Sequence, residues 1–480
     1  MTSLLLPSRR RTLQGLGALA AGAAGALPAI AAPAGPSPAV SLPALGLRQR
    51  TLANGLQVIA LPDRGTATVS VQVWYRVGGR DDPPGRSGFA HLFEHMMFKR
   101  TRHMANEMFD RLTEDVGGQN NAFTAEDVTA YQSEVPSNHL ERLLWAEAER
   151  MSNLEVDQAS FDSERAVVQE ELRQRVLASP YGRLFNALPS AAFEVHPYRR
   201  PVVGSIEDLD AAGLDDVRAF HRTYYRPDNA VLIVAGDLDA EAFDAAVDRY
   251  FGRLARPEAP IPRVTVQEPH RLRDARIALQ APNVPLPAVA LVWQGPPARS
   301  DDAAALDVAS ALLSGGDSSR LNQALVYRAR SAQASGFQTR LHADAGMLLA
   351  YAIAVGGKPA GEQLPALEKA LMREIESLAR GPIAPAELDK VRTQLLTAAL
   401  LERQTPQGRA AAAGWAVVNH GDAAQADREL QRLQAVRAAD VQRVLRRHVL
   451  EGRRVTLTYT RADGGAPPPA ASSTPQGGRP

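Results

Sequence analysis

The sequence contains no cysteine. Disulfides, thiolate zinc sites and a cysteine nucleophile are therefore excluded, and the chain suits any compartment without a redox demand. Charge is also near balance: the formal net charge is +1, with no long run of like charge. That removes the electrostatic case for nucleic acid or an anionic membrane as a partner. No segment has the length and apolarity of a stable membrane span. What is left is the composition of a globular protein, 45% hydrophobic and 22% charged. At 480 residues it exceeds one ordinary core, so two domains or more are expected.

The N-terminus reads as an export signal. "SRRRTLQGLGALAAGAAGALPAIAAPA" has a basic start, a small-residue apolar stretch, and an A-x-A cleavage site at Ala29-Ile30-Ala31. Ser8-Arg9-Arg10-Arg11-Thr12-Leu13-Gln14 resembles a twin-arginine signal, with Thr12 and Gln14 departing from the usual Phe and Lys. Residues 1–31 are thus expected to be removed on the way to the periplasm or beyond, by the twin-arginine or the general secretory route. The bland alternative is a disordered N-terminus. Residues 32–45 form a flexible spacer, and 461–480, rich in Pro, Ala, Ser and Gly, a disordered tail.

Between these ends the order of elements runs twice. "LQVIALP" and "ATVSVQVWYRVGG" read as Val-rich strands, and "NHLERLLWAEAERMSN" and "SFDSERAVVQEELRQRVL" as long helices. "LDDVRAFHRTYYRPDNAVLIVAGDLD" gives a helix, a turn and a buried strand. A proline-rich linker, 255–269, follows. Strands ("ARIALQAPNVPLPAVALVWQGPP"), a helix, another strand and two long helices then recur. The expected fold class is α+β, with two similar domains, 46–254 and 270–460, each a mainly antiparallel sheet packed with helices.

Chemistry concentrates in "GFAHLFEHMMFKRT". On a helix, residues four apart share a face, so His91 and His95 can aim at one point. Zinc commonly takes two neutral imidazoles and a carboxylate, leaving a position for a water that a nearby base must deprotonate. Glu94, three residues after His91, is close enough to that face to be the base. A bare histidine pair is more often an ordinary surface or core feature; the glutamate between them raises the specificity. A third ligand is available in "SERAVVQEELRQR". Glu164 and Glu171 are two turns apart on one helix face, and Glu170 is rotated roughly 100° away. One of the pair can bind zinc while the other orients ligands or water. Read without the histidines, the same helix would be a solvated, salt-bridged face, with Arg165, Arg173 and Arg175 nearby.

With these residues in view the chain resembles the insulinase-type zinc metallopeptidases, the family of pitrilysin, insulin-degrading enzyme and mitochondrial processing peptidase. The family's inverted H-x-x-E-H motif matches His91, Glu94 and His95, and its distal glutamate pair matches Glu164 and Glu171. The resemblance implies that Glu171 is the zinc ligand and Glu164 its support, with one Zn²⁺ per chain. "GGQNNAFTAEDVTAY" is similar to the family's G-G-x-x-N-A-x-T segment, implying an edge strand that presents Asn121 and Ala122 to a substrate backbone. It further implies two α+β domains per chain, as in the processing-peptidase beta subunit and its bacterial homologues, and two chains closing around a chamber.

One element of the pattern is missing. The family draws an arginine and, seven residues later, a tyrosine from the C-terminal half, where they bind substrate and steady the oxyanion. Counting from Ser318-Ser319-Arg320-Leu321 puts Val326 and Gln333 at those positions; shifting by four gives Arg330 and Phe337. Tyr327 and Tyr351 have no spacing in their favour. The expectation is therefore division of labour, in which a homologous subunit supplies the pair and this chain the metal; simple divergence is the other reading. Two functions are carried forward: an exported zinc endopeptidase, and a non-catalytic assembly subunit of the same fold. Scaffold members commonly lose ligands, whereas His91, Glu94, His95 and Glu171 are all present.

Overall fold

β-Branched and aromatic residues build the centre of the first sheet. The strand Thr68–Tyr75, "TVSVQVWY", is buried on both faces over nearly its whole length, and so is Ala230–Gly236, "AVLIVAG". Near-continuous apolar runs of this kind belong to strands covered on both sides. In chain order the strands are β1 (Arg48–Thr51), β2 (Gln57–Pro62), β3 (Thr68–Tyr75), β4 (Gln119–Thr124), β5 (Thr129–Pro136) and β6 (Ala230–Gly236). In the second half they are β7 (Ala275–Ala281), β8 (Ala288–Gly295), β9 (Ala332–Leu341), β10 (Gly346–Ala354) and β11 (Arg454–Arg461). This is a computed structural model, and it describes residues 41–462. The segment read as an export signal, the start of the expected spacer and most of the expected tail lie outside the described residues.

The duplication expected from the sequence is evident in the hydrogen bonding. One sheet is ordered β1-β2-β6-β3-β5-β4 and the other β7-β11-β8-β10-β9. Setting β1 aside, each half places its strands first, fifth, second, fourth, third. In each, the first and last strands pair in parallel (β2 with β6, β7 with β11) and all other pairs are antiparallel. The α+β class with two similar, mainly antiparallel sheets is what the chain adopts. Residues 255–269 carry no helix or strand. Among the described residues no helix is long and apolar enough to cross a membrane.

Each half covers one sheet face of the other. The helix Gly182–Ala192 buries Leu184, Leu188, Ala191 and Ala192 against Ala288, Ala290, Val292 and Leu457 of the second sheet. Reciprocally, the helix Pro406–His420 lays Ala410, Ala413, Ala416 and Val417 on Ile59, Trp74, Val231 and Ile233 of the first. A leucine fully buried in such a contact stabilises by about 1.5–3 kcal/mol, so the exchange ties the halves together. The approach is close: a Cβ on Gly414 would lie 2.3 Å from Trp74 Cε2. The opposite face of the first sheet carries the helices that hold the candidate site.

Candidate metal centre

The H-x-x-E-H segment forms a helix of two turns, Phe89–Met96. It starts at Gly88, whose φ of 87° lies in the left-handed region that favours glycine. A short helix needs its free N–H groups satisfied, and Asp82 does this from outside: its carboxylate accepts from Gly88 N at 2.8 Å and Ala90 N at 2.7 Å. Burial pushes the Asp82 carboxyl up to about 7, against the pull of those N–H groups. Phe89, Ala90, Leu92, Phe93 and Met96 sink into the core, which fixes the helix rotation and sets both histidines toward the helix Gln158–Leu172.

There the sequence-predicted ligands meet. Glu171 Oε2 stands 3.8 Å from His91 Nε2 and 3.7 Å from His95 Nε2. The three side chains offer donor atoms all within 4.8 Å of one another, and no other such group of three occurs among the described residues. Bond lengths of about 2.0–2.2 Å to a tetrahedral zinc call for donors roughly 3.4 Å apart, so modest side-chain adjustment brings this set to coordination distance. His95 Nδ1 faces Glu164 Oε2 at 3.3 Å, which leaves its Nε2 for the metal. Glu164 Oε1 is in turn held by Lys99 Nζ at 2.6 Å. Glu170 points elsewhere, to Arg173 and Gln174. Arg175 pairs with Glu171 Oε1 from the next turn, at the start of a π-helical stretch, Arg173–Ala178.

The two histidines differ in their electrostatic surroundings. Burial, with His95 alongside, pushes His91 down to about 3, so it is a neutral imidazole at pH 7. Burial works against charge on His95 too, but the hydrogen bond with Glu164 and the carboxylates of Glu94 and Glu171 outweigh it and raise its pKa. Burial raises Glu94 above the ordinary carboxylate range, while Thr124, donating to Oε2 at 2.6 Å, pulls the other way. Two imidazole nitrogens and one carboxylate oxygen are a donor set that suits zinc, with Glu94 beside them as a carboxylate outside that set.

β4 is an edge strand, as the resemblance implied: it pairs only with β5. Asn121 is exposed and Ala122 half-buried, and the Ala122 N–H is occupied by Asn121 Oδ1 at 2.8 Å. In the second half, Val326 lies on the π-helical turn Asn322–Arg328 and Gln333 on β9. Arg330 is exposed with φ 48°, and Phe337 is buried in the second core. Neither register yields an arginine–tyrosine pair. A cavity of about 510 Å³ lined by Arg100, Arg218, His221 and Arg222 shares no residue with the metal group.

Three contacts at this site escape sequence reasoning: Asp82 at the helix start, Lys99 on Glu164, and Thr124 on Glu94. Thr124 lies within the segment singled out for β4, but nothing in its spacing ties it to Glu94. Residues 57–205 match the family model "Insulinase (Peptidase family M16)" and residues 212–395 match "Peptidase M16 inactive domain". The zinc protease PqqE of Helicobacter pylori is 34% identical over 344 residues, 71% of this chain and 77% of that one. A probable mitochondrial-processing peptidase subunit beta of Arabidopsis thaliana is 25% identical over 413 residues, 84% of this chain and 76% of its own. The crystal structure of a protease from Helicobacter pylori superposes with a TM-score of 0.82 at 30% identity, covering 86% of this chain and 99% of that one. Its two sheets, its matched halves and these relatives together make the chain a member of the insulinase family of zinc metallopeptidases, peptidase family M16.

Proposed function

We propose that this protein is an exported zinc endopeptidase that hydrolyses peptides or extended polypeptide segments within an enclosed chamber, as the metal-bearing subunit of a heterodimer. The observation that carries the reading is the convergence of His91, His95 and Glu171 with Glu94 at their side. Zinc in that group would supply Lewis acidity at a coordination position left open by the three side chains. Glu94 takes the proton of the attacking water and passes it to the leaving amine. Glu164 keeps His95 in the tautomer whose Nε2 is free to coordinate. β4 accepts the substrate as an added strand, with Asn121 and Ala122 facing its backbone. Donors for the developing oxyanion come from the arginine and tyrosine of a homologous subunit. Export rests on residues 1–31. The alternative of an assembly subunit loses ground because the match to an inactive domain is confined to 212–395, downstream of every metal-site residue.

The test is zinc analysis of the purified protein beside cleavage of an unstructured peptide, alone and with a related chain carrying the pair. Glu94→Gln should retain zinc and lose about a hundredfold or more in cleavage, the scale for removing a general base. Hydrolysis that persists in protein without zinc would overturn the assignment.

A further inference from the structure

Thr124 is the last residue of β4 and stands opposite Thr129 of β5. It is 5% exposed, and its hydroxyl donates to Glu94 Oε2 at 2.6 Å. The direction of that bond is set by its surroundings. Thr129 spends its own proton on Val77 O at 2.9 Å, and its oxygen lies 3.5 Å from that of Thr124. A hydroxyl has one proton, and an ionised carboxylate can only accept, so the Thr124 proton goes to Glu94. Glu94 Oε1 has no protein partner among the described residues, which leaves it free for the water at the metal group.

From this chain of hydroxyls we infer that Thr124 is the positioning residue for Glu94, so that the strand on which a peptide docks also aims the base. A glutamate has three rotatable side-chain bonds, and on a two-turn helix only outside contacts select one setting. A charge-assisted hydrogen bond from a buried, backbone-fixed hydroxyl makes that selection. Because Thr124 shares its strand with Asn121 and Ala122, the substrate register and the carboxylate position are measured from one piece of backbone.

The inference rests on the peptidase reading for its effect on rate, but not for its effect on geometry. Thr124→Val keeps the volume and removes the hydroxyl, whereas Thr124→Ser keeps the hydroxyl and removes a methyl group. In the zinc-loaded protein assayed with its partner chain, Thr124→Val should lower kcat on the order of tenfold to a hundredfold, the scale of a misplaced reacting group, with KM little changed. Thr124→Ser should recover most of the rate, and both should hold zinc as the parent does. A packing role would give the reverse order, Val mild and Ser damaging, and would overturn the inference. A crystal structure of Thr124→Val supplies the readout independent of activity: Glu94 should leave its present rotamer or occupy two. An unmoved carboxylate overturns the inference even if the parent protein proves inert, an outcome that would count separately against the peptidase reading. Should Thr124→Val fail to fold, Thr124→Ala serves in both measurements.

Discussion

Tyr198 donates its hydroxyl to Asp127 Oδ1 at 2.5 Å, at the seam where the two halves of the chain meet. Asp127 lies in the turn between β4 and β5, and the same oxygen pairs with Arg80 at 2.7 Å. Its other oxygen accepts from Ala343 N at 2.8 Å, and Arg80 also reaches Asp344 at 3.0 Å. Ala343 and Asp344 occupy the turn between β9 and β10, the equivalent turn of the second half. The β4–β5 hairpin, which carries Thr124, is thus clamped to its duplicate through buried charge.

Removing Arg80 should therefore loosen both halves at once. Arg80→Ala leaves Asp127 buried without its cation, and breaking a buried pair from one side costs roughly 3–5 kcal/mol. Urea denaturation should show that loss. The double variant with Asp127→Asn should fall short of the sum of the two single losses, because the two residues share one network. Strict additivity would mean that the clamp is not a unit.

The proposed metal ligands should separate from their support. His95→Ala or Glu171→Gln should abolish stoichiometric zinc retention. Glu164→Gln should weaken zinc affinity about tenfold to a hundredfold, as changes to the partners of ligands typically do. Competition with a fluorescent chelator measures all three. Equal zinc affinity in Glu171→Gln and the parent would remove Glu171 from the ligand set.

The missing arginine and tyrosine lead to a prediction about assembly. The chain alone should fold and bind zinc yet cleave peptides poorly, since loss of one oxyanion donor costs roughly 10²–10³ in rate. Co-expression with a homologue bearing the pair at the positions of Val326 and Gln333 should restore cleavage in a mixed dimer seen by size exclusion. Mutating that tyrosine in the partner should lower turnover without releasing zinc. Full activity from the isolated chain would refute the division of labour and leave the peptidase proposal standing.

Gly414 tests the exchange of helices. With Trp74 Cε2 2.3 Å from where its Cβ would be, Gly414→Ala must push the helix Pro406–His420 off the first sheet. Overpacking of this kind costs about 1–3 kcal/mol, to be read as a lower midpoint in thermal unfolding. Trp74 fluorescence should change in the same variant.

Asp302 gives the second half a defined pH dependence. Burial raises its pKa, but hydrogen bonds from His448 at 2.7 Å and Arg443 at 2.5 Å win, and the net effect is a depressed carboxylate. Arg447 faces it too, at 3.5 Å. A folded pKa below the unfolded one contributes stability that is present above the unfolded value and lost as pH falls through the folded one. The gap between parent and Asp302→Asn should be about 1–3 kcal/mol near neutrality, and should close progressively below about pH 4. A gap that stays constant down to pH 2 would exclude the ionised form as its source.

Much of the site was legible because it follows helix geometry. The four-residue step from His91 to His95 and the two-turn step from Glu164 to Glu171 each put side chains on one face, whatever surrounds them. The valine-rich strands β3 and β6 announced themselves by composition. The duplication was harder to see, because it resides in the order of strand pairing, and different residues can satisfy the same ladder of backbone bonds.

Local periodicity, then, was enough to indicate from sequence alone the α+β class, the shared face of His91 and His95 and the shared face of Glu164 and Glu171; joining the two faces in one site rested on the family resemblance. Tertiary structure alone decided that those two helices meet, that Asp82 closes the start of one, that Thr124 reaches Glu94, and that each half covers a sheet of the other. The reason is physical. Spacing within one element fixes directions relative to that element, whereas a contact between elements depends on how buried surfaces pack, and packing is settled only when the whole core is assembled.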